Sequence, residues 1–447
     1  MDGGEHFNPD APTPGLFGQT VAAIATPFGE GGIGIVHVTG PDAVEAVAKL
    51  FQPKRPLDLR EQNARSVHYG HIVIDNEPLD EVLVRVCRRH ESFTGSDLVE
   101  INCHGGIVSV HRMLECLERV GVRAVPAADL LEEAVRRGRI DAVRREAIVE
   151  LFHARSPQAV AMLLAQERGS LSNLLREIEK ALVSLSRHCS RARGRAAAEV
   201  LEAQRRTCHE RLTALESTIA LGYRLCHSSR IVIAGRANVG KSSLFNAMCH
   251  ADRAITSDRA GTTRDFVTAQ IVLDGFPFEL IDTAGIREGL DLIEIESVRG
   301  SWEQIARAHV ALAVFDASTP PTESDRSLVK ALASRVALPV LNKIDRGVRE
   351  DVRALALQLG RKPIEVCART GEGLEQLRGA LVESLGAPHP PDPPEPTLFT
   401  ERQHELVQQA LASLSTYRLT MATTAARRTL AERARAAARV LQRCRLG

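Results

Sequence analysis

The sequence predicts a multidomain α/β protein: a domain built on a helix-covered parallel sheet is inserted into an α-helical domain and preceded by a small α+β domain. Three observations carry this expectation. At 447 residues the chain exceeds one ordinary core, since single domains cluster near roughly 100–150 residues. Between residues 229 and 387, β-type runs alternate with helical segments, the pattern of parallel strands joined by helices. On both sides of that stretch Ala, Leu, Glu and Arg recur at three- and four-residue spacing, so the two flanks are expected to pack as one helical domain.

The elements follow in chain order. Residues 1–17 are acidic, polar and proline-containing, without the basic and apolar regions of a signal peptide, and are expected to be disordered. Residues 18–126 show short apolar runs broken by glycines, among them Ile33-Gly34-Ile35-Val36-His37-Val38 and Val82-Leu83-Val84-Arg85-Val86, which predict strands of a small mixed domain. Over 127–228 prolines almost vanish, and Leu174, Ile178, Leu182 and Leu185 keep a helical spacing. In 229–387 the β-type runs fall at 231–234, 278–281, 311–315, 340–341 and 364–366. Six prolines, Pro388, Pro390, Pro391, Pro393, Pro394 and Pro396, fill the connector at 388–398; they stop helix formation and favour an extended spacer. Residues 399–447 return to the Ala/Leu/Arg helical pattern.

Composition sets the outer limits. Hydrophobic content of 44% with 25% charged residues is that of a folded globular protein, and aromatic content of 4% suits Ala/Leu/Arg helix packing. The formal net charge of +1 demands no polyanionic partner, so any nucleic-acid surface must be a local patch. Nine cysteines include no CxxC pair and no metal-ligand spacing, which points to a reducing cytoplasm rather than a disulfide framework. No apolar run reaches the roughly 18 residues of a membrane helix, so no membrane partner is expected.

The chemistry centres on Gly235-Arg236-Ala237-Asn238-Val239-Gly240-Lys241-Ser242, a match to GxxxxGK[ST] lying between a β-type run and the helical run 243–248 that opens at Ser243. A glycine-containing strand-to-helix turn is the plain alternative. In the functional reading, backbone amides approach phosphate oxygens and Lys241 meets the β and γ phosphates. Ser242 ligates Mg²⁺. Asp282-Thr283-Ala284-Gly285 ends the next β-type run; its Asp would reach the metal through water and its Gly amide would sense the γ-phosphate. Asn342-Lys343-Ile344-Asp345 follows another strand-like run. The Asp345 carboxylate can accept both the ring N–H and the exocyclic amine of guanine, whereas adenine presents the wrong pattern. The ordered set therefore predicts a P-loop GTPase that binds GTP and GDP. Ala260-Gly261-Thr262-Thr263-Arg264-Asp265 lies where a switch around Mg²⁺ and γ-phosphate is expected, with Thr263 the second protein ligand of the metal. The base-side loop is Cys367-Ala368-Arg369, whose Ala368 amide would meet the guanine oxygen. The residue after DTAG is Ile286, which cannot orient water. Glu288, Asp291, Glu294 and Glu296 follow it; any of them can swing in as a water-orienting group or remain a solvated switch carboxylate.

These motifs, with Ala22-Ala23-Ile24-Ala25-Thr26-Pro27, Gly31-Gly32-Ile33-Gly34-Ile35-Val36, Phe93-Thr94-Gly95 and Cys103-His104-Gly105-Gly106, resemble the MnmE (TrmE) family of bacterial tRNA-modification GTPases from about residue 18 to the end. The resemblance implies an N-terminal folate-binding-type domain that dimerises, a GTPase inserted in a helical domain, and a homodimer. It also implies joint action with MnmG, an FAD protein. Together they place a carboxymethylaminomethyl-type group on C5 of the tRNA wobble uridine (position 34), using a one-carbon unit of reduced folate, a 5,10-methylene- or formyl-tetrahydrofolate. GTP hydrolysis is switched on when two GTPase domains meet across K⁺. By resemblance, Asn238 binds K⁺ with help from Ser257, Arg259 and Thr262; Ser257 and Thr262 also join the GTP site, and Glu294 is the catalytic glutamate. A cation there can do the work of an arginine finger. Folate contacts are implied at His37, Glu100 and Arg139.

The chain departs from the family at several points. Glu30 and His37 stand where arginine is usual, while Glu100 and Arg139 keep their acidic and basic characters. In the helical domain Leu130-Leu131-Glu132-Glu133-Ala134-Val135-Arg136-Arg137-Gly138-Arg139 replaces Phe-Thr-x-Arg-Ala-Phe-Leu-Asn-Gly-Lys, and Cys444-Arg445-Leu446-Gly447 replaces Cys-Ile-Gly-Lys. Cys444 reads either as a thiol activated by nearby arginines or as a half-buried helix residue. His104 either shapes the folate pocket or belongs to a turn that holds the backbone. Arg427, Arg428, Arg433, Arg435, Arg439, Arg443 and Arg445, with Arg187, Arg191, Arg193 and Arg195, form either a tRNA phosphate-binding face or a solvated helix face. A rival function is a GTPase switch that has lost folate and tRNA-modification chemistry and binds an RNA or protein partner. A scaffold without hydrolysis is disfavoured, because every phosphate- and metal-contacting residue is in place.

Overall fold

A computed structural model describes residues 18–27, 29, 31–62, 66–191, 193–251, 267–282, 307–386, 388–392, 394–415 and 423–447. The chain forms two compact units, one of residues up to 145 with 445–447, the other of residues 146–444.

In the first unit the glycine-broken apolar runs are strands because their side chains alternate. β1 (Val21–Ile24), β2 (Ile33–Thr39), β3 (Phe51–Pro53), β4 (Val67–Ile74), β5 (Glu77–Cys87), β6 (Leu98–His104) and β7 (Arg123–Ala124) form one sheet in the order β3-β4-β5-β6-β2-β1-β7. Only the β1–β7 pair is parallel. On β5, Val82, Val84 and Val86 are buried, whereas Leu83 between them is 46% exposed. On β6, Val99, Ile101 and Cys103 point to the core, and Glu100, Asn102 and His104 to the other face. The core face is covered by α1 (Ala43–Leu50) and α2 (Ile107–Arg119), whose Val47, Met113 and Leu117 are fully buried. Each such side chain contributes roughly 1.5–3 kcal/mol relative to leaving it in water. On the second face Val21 and Ala23 of β1 are buried with Leu130 of the helix that follows β7, whereas Val67 on β4 and Leu83 on β5 are exposed.

α3 (Ala127–Arg136) follows, and α4 (Ala142–Leu151) straddles the division between the units. In the second unit α5 (Pro157–Glu167) starts from Ser156, whose side chain caps the Ala159 amide, with Pro157 at the first turn. Then come α6 (Ser170–Arg191), α7 (Gly194–Glu216) and α8 (Ile219–Cys226). Ile178, Leu182 and Leu185 of α6 are fully buried, as their helical spacing predicts, but Leu174, expected with them, is half-buried and its neighbour Leu175 takes the buried place.

The inserted domain contains β8 (Ser229–Ala234), α9 (Lys241–Ala251), β9 (Val267–Leu273), β10 (Phe276–Asp282), β11 (Val310–Asp316), α10 (Glu323–Leu332), β12 (Ala337–Asn342), α11 (Glu350–Leu357), β13 (Ile364–Val366) and α12 (Leu374–Ser384). Its sheet order is β13-β12-β11-β8-β10-β9. Five strands are parallel, and the expectation of a wholly parallel sheet is corrected at one edge: β9 pairs antiparallel with β10. The turn joining them is Asp274-Gly275, both with positive φ (47° and 88°), the backbone of a tight hairpin. Among the strand residues, β11 is buried along its whole length, as a central parallel strand requires.

The flanks do pack together. α13 (Glu401–Ser415) lies against α7, with the Arg205 guanidinium donating to the Leu414 carbonyl at 3.0 Å. Arg402 and Gln403 both reach Glu146. α14 (Thr424–Leu446) is tied to α6 where Arg435 Nε donates to Ser186 Oγ at 2.7 Å. The connector at 388–398 is irregular, but its end is no free spacer. Thr397, Leu398 and Phe399 are buried; the Leu398 amide donates to Thr218 Oγ1 at 2.9 Å, and Gln166 Nε2 to the Glu395 carbonyl at 3.1 Å.

Candidate functional site

The described residues of the expected nucleotide site sit at the C-terminal edge of the parallel strands, in the loops that leave them or in the first turn of α9, where open α/β sheets bind ligands. Gly235 begins the loop after β8, because a Cβ there would lie 2.5 Å from the Val314 carbonyl oxygen. The loop then turns through two positive-φ residues, Asn238 (65°) and Gly240 (94°), before Lys241 starts α9. Val239 is fully buried and anchors the loop from inside. Asn238, Ser242 and Ser243 are exposed on it. Lys241 is 9% exposed, and its ammonium donates to the carbonyls of Gly235 and Arg236 at 2.8 and 2.9 Å. Burial pushes its pKa below the usual lysine range, against the opposing charge of Asp282. Asp282, 3% exposed, ends β10 beside β8.

The base-side residues are fastened to this loop. Asn342, at the end of β12, donates through Nδ2 to the Val239 carbonyl at 2.9 Å and accepts at Oδ1 from the Ala368 amide at 3.1 Å. The Ala368 amide, expected to face the guanine oxygen, is thus engaged by Asn342. Lys343 has φ of 65°, and its ammonium donates to the Asn238 carbonyl at 2.5 Å and to Asp316 Oδ2 at 2.8 Å. Asp345 stands between Cys367 Sγ, 3.3 Å from Oδ1, and Arg369 Nη2, 3.1 Å from Oδ2. The thiol hydrogen bond lowers the Asp345 carboxyl pKa, burial opposes it, and Arg369 lowers it further, so the group is an anionic acceptor at neutral pH.

Sequence reasoning missed two groups here. Asp316, at the end of β11, is the carboxylate that holds Lys343. Arg236 bridges to Thr319 Oγ1 at 2.5 Å and lies 3.2 Å from the Asp325 carboxylate. The position of Asp316 at the carboxyl end of a central strand is the signal that could have found it. Ser257, Arg259, Thr262, Thr263, Thr283, Ala284, Gly285 and Glu294 lie outside the described residues, as do Glu30, Ile286, Glu288, Asp291 and Glu296.

In the first unit His37 and Glu100 are directly opposite on β2 and β6, with Nε2 and Oε2 3.6 Å apart. Asn102 Nδ2 donates to the other Glu100 oxygen at 3.1 Å. Burial lowers the His37 pKa and outweighs the raising effect of Glu100, leaving the imidazole neutral at pH 7. The Phe93 ring packs against it at 5.8 Å between centroids. Arg139 is the third expected folate contact; its guanidinium donates to the carbonyls of His90 and Ser92 and so braces the loop carrying Phe93. His104 is held by Asp80, Nδ1 to Oδ1 at 2.5 Å and backbone amide to Oδ2 at 2.9 Å, with its side chain 67% exposed. The following turn needs its glycine: a Cβ on Gly105 would come 2.5 Å from the Gly31 carbonyl oxygen. Beside this turn Thr26, Pro27, Gly31, Ile33, Gly105 and Gly106 line a cleft of about 340 Å³, and His104 is not among its lining residues. Cys444 is fully buried on α14. Its burial is deeper than the half-buried place expected of a helix residue and leaves none of the exposure that a reactive thiol needs. Among the described residues no group of His, Cys, Asp and Glu forms a metal cluster.

Comparison with known proteins agrees with this geometry. A family model described as GTP-binding protein TrmE N-terminus matches residues 20–139, and one described as 50S ribosome-binding GTPase matches residues 230–343. The tRNA modification GTPase MnmE of Carboxydothermus hydrogenoformans is 36% identical over 409 residues, covering 89% of this chain and 88% of the relative. The MnmE of Geobacillus kaustophilus is 36% identical over 376 residues, 82% and 81% of the two chains. That of Symbiobacterium thermophilum is 36% identical over 403 residues, 88% and 87%. With such identity along nearly its whole length, and with the phosphate and guanine loops joined as described, the chain belongs to the MnmE family of tRNA modification GTPases.

Proposed function

We propose that this GTP hydrolase acts in tRNA modification as a K⁺-stimulated homodimer. Together with an MnmG-like FAD protein it installs a carboxymethylaminomethyl-type group on the wobble uridine. The observation that carries the reading is the junction of the two nucleotide loops: Asn342 and Lys343 hold the carbonyls of Val239 and Asn238 while Asp345 faces out as an anionic acceptor. That arrangement binds a guanine and its phosphates as one rigid unit.

Gly235, Asn238, Val239, Gly240, Lys241, Ser242 and Ser243 are the phosphate contacts of this proposal, and Asn342, Lys343, Asp345 and Ala368 surround the base. Ser242 fits a Mg²⁺ ligand, being exposed at the first turn of α9 next in the chain to Lys241, on which the charge of the buried Asp282 acts; Thr263 would complete the protein ligands. When bound, Mg²⁺ offsets charge developing on the phosphate oxygens. Asn238 fits K⁺, because its left-handed backbone presents an exposed amide side chain from the loop; Ser257, Arg259 and Thr262 would add oxygens. Glu294 is the proposed water-orienting carboxylate. Thr283, Ala284 and Gly285 would follow the γ-phosphate.

Dimerisation is supported by exposed apolar residues on the second sheet face of the first unit, away from the part of β1 that Leu130 of α3 covers. There Ile33, Val67 and Leu83 are 65%, 58% and 46% exposed beside His37 and Glu100. Binding of tRNA is supported by an exposed stripe, Arg428, Arg435, Arg439 and Arg443, on α14, with Arg187 and Arg191 on α6. Arg427 is buried and stands apart from this face. None of the nine cysteines is paired in a disulfide, which accords with the cytoplasm. No described helix is long and apolar enough to cross a membrane.

GTP hydrolysis is expected to be faster in KCl than in NaCl, and equal rates remove the potassium role. Nucleoside analysis of wobble uridine in cells lacking the protein tests the tRNA role; an unchanged profile rejects it. A second reading, a GTPase switch without folate chemistry, is favoured by the neutral His37 where the family usually carries arginine. Calorimetry with a reduced-folate analogue separates the two: binding supports reduced folate as cofactor, and its absence with GTPase intact supports the switch.

A further inference from the structure

Asn238 and Lys343 both adopt left-handed backbone conformations, with φ of 65° each. A non-glycine residue in that region is strained and persists only where its surroundings hold it. Here the two strained residues are bonded to each other, Lys343 Nζ to the Asn238 carbonyl at 2.5 Å. The same ammonium is fixed from behind by Asp316 Oδ2 at 2.8 Å. The carboxylate is itself immobilised, because its other oxygen accepts from the Ser318 amide at 3.0 Å and the Ser318 hydroxyl at 2.7 Å. Asp316 is 6% exposed. Burial alone would raise its carboxyl, yet the bonds from Lys343 and Ser318 leave it below its ordinary value, so the ion pair is intact at neutral pH. A desolvated charge-assisted bond of this kind is stiffer than a surface pair.

We propose that Asp316 is a positioning residue for the monovalent-cation site: it pins Lys343 on the Asn238 carbonyl, and so fixes the backbone that directs the Asn238 side chain. This rests on the reading of Asn238 as a K⁺ ligand. Asp316 touches neither nucleotide nor cation in the proposal and acts through two residues that do.

The test is GTP hydrolysis by the full chain as a function of KCl concentration, with GDP affinity measured alongside. Asp316→Asn keeps the shape and removes the charge. Its half-saturating K⁺ concentration is expected to rise roughly tenfold, the factor for losing one hydrogen bond to a charged group, with GDP affinity changed less than about threefold. Asp316→Glu should recover part of the shift. In an Asn238→Ala background Asp316→Asn should add nothing, because the route through Asn238 is already cut. Should Asp316→Asn fail to fold, Ser318→Ala loosens the same carboxylate and is expected to shift K⁺ dependence in the same direction by about two- to threefold. A wild-type rate that is equal in KCl and NaCl removes the potassium reading itself. A wild-type rate stimulated by K⁺, with unchanged half-saturation in Asp316→Asn or in Ser318→Ala, overturns the role given to Asp316.

Discussion

Gly240 and Asn342 meet so closely that a Cβ at position 240 would lie 2.4 Å from Asn342 Nδ2. That nitrogen cannot swing aside without cost, because it donates to the Val239 carbonyl while Oδ1 of the same amide holds the Ala368 backbone. The φ of 94° at Gly240 adds strain for any side chain. Gly240→Ala is therefore expected to displace Asn342 and weaken GDP binding by at least roughly tenfold, for overpacking and strain of about 1–3 kcal/mol. Fluorescent-GDP titration measures it. Affinity within twofold of wild type would show that the loops are not coupled in this way.

Base selectivity should rest on Asp345 and not on its ion-pair partner. Asp345→Asn replaces an acceptor with a group that both donates and accepts, which suits xanthine, with an oxygen where guanine has its amine. GDP affinity is expected to fall about a hundredfold, and xanthosine diphosphate to bind better than GDP, since an unmatched buried polar pair costs several kcal/mol. Arg369 is 79% exposed, and exposed pairs are worth roughly 0–1 kcal/mol. Arg369→Ala should weaken GDP less than about fivefold. Calorimetry with both nucleotides decides, and a larger loss in Arg369→Ala than in Asp345→Asn would reverse this assignment.

The described part of the nucleotide site was legible because phosphate and guanine chemistry puts its residues in short contiguous stretches. Lys241, Asp282 and Asn342 could each be named from a few neighbours. Asp316 was legible only by its place at the end of a central strand; its role is set by Lys343, which the β11–β12 pairing brings to it. β9 escaped for a different reason. Ala269, Ile271 and Leu273 are buried but alternate with exposed or half-buried residues, so no continuous apolar run marks the strand. The buried end of the connector was hidden by its prolines, which describe the backbone of residues 388–396 but say nothing of what Leu398 and Phe399 pack against.

His37 and His104 should titrate on opposite sides of the ordinary histidine value near 6.5. Burial lowers His37, whereas the hydrogen bond and charge of Asp80 raise His104. The signs for stability follow from linkage. Below about 6.5 the unfolded chain takes a proton at position 37 before the folded chain does, so the His37 contribution is lost as pH falls through its folded value. The His104 contribution is present below about 6.5 and lost as pH rises through its folded value. Ring resonances followed by NMR from pH 5 to 8 should therefore change first at His104 on acidification. The reverse order would mean that burial does not govern His37, and that a positive charge can stand at that position of the proposed folate site.

At Gly222 of α8 an added Cβ would come 2.0 Å from the Leu398 carbonyl oxygen and 2.9 Å from the Leu398 carbonyl carbon. Both contacts belong to a backbone segment already fixed by the Leu398 amide on Thr218 Oγ1, so neither can yield as a loose side chain would. Gly222→Ala is expected to lift the end of the connector off α8 and to destabilise the second unit by about 1–3 kcal/mol. Leu398→Ala, which empties a fully buried site, should cost about 2–5 kcal/mol. Urea unfolding gives the stability change, and limited proteolysis reports the connector, because a lifted segment becomes a substrate while a packed one resists. Faster cleavage within residues 388–399 in both variants is the expected result. If Gly222→Ala unfolds at the wild-type urea concentration and is cut no faster, the segment behaves as the spacer its prolines suggest, and its packing on α8 does not hold in solution.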